Sequence, residues 1–119
     1  MTIRCTLALV ATLLVASTPI APASAASFDC SKATRPDEFA VCANPDLSAL
    51  DSEMGGLWYA YNAFPFLMGM SGARRDEARA FLQNRAACGA NVPCLRAAYV
   101  ARNQMLKTQI TQAMQSCQF

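Results

Sequence analysis

An all-α domain, a small disulfide-stapled bundle of about four helices arranged as two hairpins, is what this sequence predicts, and three observations predict it. Apolar residues recur every three or four positions through two long stretches: Leu47, Leu50, Met54, Leu57 and Tyr61, then Leu95, Tyr99, Leu106, Ile110, Ala113 and Cys117, with Arg102 in step with the second. Pro36, Pro45 and Pro93 stand where the first turn of a helix tolerates proline. Cys42, Cys88 and Cys94 fall at expected helix ends and Cys30 in the lead-in before the first helix, where short bridges can staple a small core.

Residues 1–25 are set apart as a cleavable secretory signal. Arg4 supplies a positive start, Leu7 to Val15 an apolar stretch too short for a membrane span, and Ala23-Ser24-Ala25 small residues before the expected cut. That leaves 26–119 as one periplasmic or secreted domain of 94 residues, with no stable membrane span.

In the order of the chain, Phe28 anchors a short lead-in. A first helix starts near Thr34, whose hydroxyl can cap it, with Pro36 in its first turn and Asp37 and Glu38 complementing the positive helix end. Phe39 and Cys42 share one face, and Asn44-Pro45 stops the helix. The second helix takes Asn44 as cap, and Gly55-Gly56 within it signals either a weak point or a close approach. The stretch Phe64 to Gly72 combines Pro65, Gly69 and Gly72 with large apolar side chains; Phe64, Phe66, Leu67 and Met68 either cover the core or form a contact surface. The third helix is expected from Ala73 to Ala87, with Ala78, Phe81, Leu82 and Ala86 inward and Arg74, Arg75 and Arg79 outward. Gly89-Ala90-Asn91 turns the chain into the fourth helix.

Spacing pairs Cys88 with Cys94 across that turn and Cys30 with Cys42 across the first helix, leaving Cys117 as a free thiol or a route to a dimer. Five cysteines after the leader allow other pairings.

Charge and motifs narrow the function. Residues 26–53 carry Lys32 and Arg35 against Asp29, Asp37, Glu38, Asp46, Asp51 and Glu53, a net of −4; residues 54–119 carry seven basic side chains against Asp76 and Glu77, a net of +5. The near balance of the whole argues against a nucleic-acid partner. With no histidine and no Cys-x-x-Cys pair, a metal site is not expected, and no cofactor is implied. Catalysis is not expected either: there is no cysteine beside a visible base and no phosphate-cradling glycine loop, and neither Asp51 with Glu53 nor Asp76 with Glu77 makes a persuasive acid–base pair.

The assembled pattern is Phe28-Asp29-Cys30, Glu38, Cys42-Ala43-Asn44-Pro45-x-Leu47, Leu50-Asp51, Phe81-Leu82-x-x-Arg85-x-x-Cys88 and Cys94-Leu95-x-x-x-Tyr99-x-x-Arg102. It resembles the LprI-like lysozyme-inhibitor family of exported bacterial proteins, over roughly residues 28–61 and 73–106. The chain departs from that family at Phe81, where tryptophan is usual, at Ala78, where glutamine is common, at Trp58, near which tyrosine is typical, and through the whole Phe64 to Gly72 stretch.

The resemblance implies a small helical domain that binds and blocks a lysozyme-type hydrolase without a cofactor. The candidate contacts are the Cys88 to Cys94 turn, with Asn91, and Phe64, Phe66, Leu67 and Met68. The alternative is a non-catalytic envelope interaction or assembly module. Two roles stay open for the pattern's polar residues, Glu38, Asp51, Arg85, Tyr99 and Arg102. They pair internally and fix how the hairpins dock, or an arginine reaches a hydrolase's paired carboxylates.

Overall fold

A computed structural model describes residues 26–65 and 70–116. The expected signal segment, Phe66, Leu67, Met68 and Cys117 lie outside those residues. The described chain is all-helical: a short 3-10 turn over Cys30–Lys32, then α1 (Pro36–Ala43), α2 (Pro45–Asn62), α3 (Met70–Ala87) and α4 (Val92–Ser116). Both expected disulfides form, Cys30 to Cys42 and Cys88 to Cys94, with Cα separations of 5.9 and 5.6 Å. Among the described residues no helix is long and apolar enough to cross a membrane.

The element starts follow proline and polar chemistry, with two changes from expectation. Helix α1 is capped at Arg35 rather than Thr34. The Thr34 hydroxyl is not used; instead Glu38 reaches back, its Oε2 accepting from the backbone N–H of Thr34 at 2.9 Å and of Arg35 at 3.1 Å. Asn44 occupies the N-cap position of α2, but its side chain faces the other way and donates to Ala40 O at 2.7 Å, closing α1. Ser48 Oγ donates to Val41 O at 2.7 Å, so the α1–α2 elbow is held from both sides.

The packing axis is α2 against α4, with α1 folded over α2 and α3 touching α4 only sparsely. Ala40, Val41, Leu47, Phe81, Leu95 and Tyr99 form the buried core, and Phe28, Leu50 and Met54 pack on its edge. The α4 stripe is buried at Leu95, Tyr99, Arg102, Leu106 and Ala113. Asn103 joins it, donating to Leu50 O at 3.1 Å and to Glu53 Oε2 at 3.0 Å across the α2–α4 seam.

Three face assignments change. Helix α3 begins at Met70, and its inward face is Arg74, Ala78, Phe81 and Arg85, at intervals of four, three and four. Leu82, one residue past Phe81, is therefore rotated outward and 48% exposed. Arg74 turns inward because its Nη1 donates to Tyr61 O at 3.2 Å, near the end of α2, with the guanidinium 5.4 Å from the Tyr61 ring. On α1 the buried face is Asp37, Ala40 and Val41, leaving Phe39 55% exposed.

The adjacent glycines of α2 have different reasons. A Cβ on Gly55 would stand 2.9 Å from Ser27 Cβ, so Gly55 admits the lead-in backbone; Gly56 faces open space and is only a weak point.

Candidate functional site

Two features concentrate the polar residues singled out by sequence: a buried charge cluster on Arg85 and the stapled turn that follows it. Arg85 is 6% exposed, one helical turn before Cys88. Its Nε donates to Asp37 Oδ2 at 2.8 Å, and its remaining nitrogens lie 3.8 Å from Glu38 Oε1 and 3.9 Å from Asp51 Oδ1. Tyr99 bridges the cluster: its hydroxyl accepts from Arg85 Nη1 at 3.3 Å and donates to Asp51 Oδ1 at 2.7 Å. The other Asp51 oxygen accepts from the backbone N–H and the hydroxyl of Ser27, both at 2.6 Å. One guanidinium thus ties α1, α2, α3 and α4 together, and Ser27 extends the network into the lead-in.

The electrostatics follow from this geometry. Burial works against the Arg85 charge, but hydrogen bonds to Tyr99 and Asp37 outweigh it and hold its pKa above the ordinary value. Burial, and then the Asp51 carboxylate that receives its proton, push the Tyr99 hydroxyl up. The backbone donors Thr34 and Arg35, with Arg85 beyond them, hold Glu38 below the ordinary 4.5.

Sequence reasoning had Arg85, Glu38, Asp51 and Tyr99 in hand but missed Asp37, the closest partner, because it was assigned to the helix end. The available signal was its position three and four residues before Ala40 and Val41, on the face that burial selects. Arg102 does not join the cluster. It lies between Trp58 and Phe81, at 5.6 and 5.9 Å from their rings, with Glu77 Oε2 3.7 Å from Nη1.

The turn itself is exposed and pre-shaped. Gly89 takes a left-handed φ of 55°, Asn91 N–H donates to Cys88 O at 3.1 Å, and Asn91 Oδ1 accepts from Cys94 N–H at 3.0 Å to cap α4. Ala90, Asn91 and Pro93 face solvent. Beside the turn, exposed Arg96 contacts Asp46 at 3.3 Å. Phe64 is half-buried next to α2. Among the described residues, no group of His, Cys, Asp and Glu is arranged to hold a metal ion.

No protein-family model, curated protein or solved structure matches this chain.

Proposed function

We propose that this is an exported binding protein that inhibits a lysozyme-type peptidoglycan hydrolase, acting by occupation of the cleft rather than by catalysis. The observation that carries this reading is the Cys88–Cys94 turn, which is exposed, covalently closed and capped by its own Asn91. A loop already held in one shape loses little conformational entropy on entering a cleft. The resemblance of the cysteine and aromatic pattern to lysozyme inhibitors supplies the class of partner. Two disulfides suit an oxidising compartment and support the exported assignment.

Arg85 and Arg102 are each at most 6% exposed and engaged with their own chain, which favours a structural role for them over insertion into a partner's active site. Contact then falls to Ala90 and Asn91 of the turn, with Phe64 to Met68 as a second candidate.

The test is lysis of bacterial cell walls by c-, g- and i-type lysozymes, with and without the oxidised protein. Dose-dependent protection against one class is expected. Folded protein that protects against none refutes the inhibitor reading and leaves an envelope interaction module in its place.

A further inference from the structure

Arg102 is the buried charge whose surroundings explain it least. Arg85 has Asp37 at 2.8 Å and Tyr99 at 3.3 Å. Arg102 is equally buried, 5% exposed, yet no described residue accepts a hydrogen bond from its Nε. Glu77 stands 3.7 Å from Nη1, too far for a hydrogen bond. The flat faces of Trp58 and Phe81 hold the guanidinium but accept none of its protons in the strong in-plane directions. An arginine stays charged at any physiological pH, so a buried fork keeps unused donors.

That fork lines an open groove of about 350 Å³ between α3 and α4. The groove exists because α3 touches α4 sparsely and because the facing residues are small: Ala80 on one wall, Ala98 and Ala101 on the other, with Met105 at one end. Its walls are almost wholly apolar, and the volume matches the lower range of small-molecule sites. An apolar trough with one cation short of acceptors is complementary to a small molecule that carries a carboxylate on a hydrocarbon body.

We propose that the α3–α4 groove binds a small amphipathic carboxylate, its head group paired with Arg102 and its hydrocarbon laid against Ala80, Ala98, Ala101 and Met105. Glu77 lines the same groove and competes for the same guanidinium, so it weakens the site rather than forming it. This site is separate from the stapled turn and does not depend on the inhibitor reading.

The experiment titrates the purified, oxidised protein with octanoate, octanol and octylamine, by calorimetry and by amide chemical shifts. Octanoate is expected to bind saturably, one per chain, at least tenfold more tightly than octanol or octylamine. Arg102→Gln should lose at least tenfold in octanoate affinity, and Glu77→Gln should gain several-fold, a change of sign that a merely structural Glu77 does not produce. Ala101→Phe fills the groove from an exposed position and should abolish binding while thermal stability stays unchanged, so the test stands even where Arg102→Gln fails to fold. Absence of saturable octanoate binding to folded protein overturns the proposal. So does octylamine binding as tightly as octanoate, or Ala101→Phe binding octanoate as the parent does.

Discussion

Arg85→Met is the substitution that most directly probes how the four helices are held. Methionine keeps most of the aliphatic stem and removes the one buried guanidinium among Asp37, Glu38 and Asp51, leaving Asp37 only the exposed Arg35, whose Nε donates to Asp37 Oδ1 at 3.2 Å. Asp37 and Asp51 are each 1% exposed, so neither is reached by water to replace Arg85. Breaking a buried pair by removing one partner costs about 3–5 kcal/mol, most of it the stranded opposite charge. Arg85 faces three carboxylates, and Arg35 reaches only Asp37 and from an exposed position, so removing Arg85 strands more charge than removal of any one carboxylate. Asp37→Asn leaves Arg85 with Asp51 and Glu38 and should cost about 1–3 kcal/mol, the penalty of a weakened buried hydrogen bond. In a domain this small each kcal/mol lowers Tm by about 4–8 °C, so Arg85→Met should melt at least about 12 °C below the parent. Urea unfolding of the parent, both single variants and the double variant measures the order and the coupling. A loss below about 1 kcal/mol for Arg85→Met, or one no greater than for Asp37→Asn, refutes the reasoning.

The adjacent glycines separate by sign: Gly56→Ala, facing open space, should stabilise by up to about 1 kcal/mol through helix propensity, whereas Gly55→Ala should destabilise by displacing Ser27 from Asp51, as thermal melts will show. Replacing Cys88 and Cys94 together by serine should cost about 2–2.5 kcal/mol, and Cys30 with Cys42 about 3, following the lengths of chain they close, measured by denaturant midpoints. In acid, Glu38 and Glu53 have carboxyls held below the ordinary 4.5, Glu38 by backbone donors and Glu53 by Lys107. Depressed folded-state values contribute stability above the unfolded value, so Tm should hold at neutral pH and fall as pH drops below about 4.5. In alkali the sign reverses for Tyr99, whose raised value gives stability that is complete below pH 10 and lost above it; a Tm series from pH 8 to 12 tests this.

The fold was legible because local chemistry marked its joints. Pro36, Pro45 and Pro93 gave helix starts, three-and-four spacing gave the α2 and α4 stripes, and cysteine positions gave both bridges. The burial of Asp37 could be read from its spacing to Ala40 and Val41, but its pairing with Arg85 was not legible, since that partner lies 48 residues away and no periodic signal couples the two. Arg74 and Leu82 were assigned to the wrong faces for a related reason. Hydropathy favours burying leucine and exposing arginine, but in α3 the carbonyl of Tyr61 and the carboxylates around Arg85 select the arginine face. The stapled turn was visible from Cys88, Gly89 and Cys94, while the role of Asn91 as the cap of α4 required the fold. The unused Nε donor of Arg102 had no sequence signature, because a charged residue in an apolar stripe looks the same whether its donors are all used or not.

In the proposed function the buried polar residues hold the fold and the exposed turn meets a partner. The most direct test of that division is the inhibition of lysozyme by the parent protein and by Ala90→Glu, whose substitution lies in the exposed turn and touches none of the cluster. An unchanged Tm with at least tenfold weaker inhibition is the predicted result. Inhibition unaffected by Ala90→Glu, or no inhibition by the folded parent, contradicts the account.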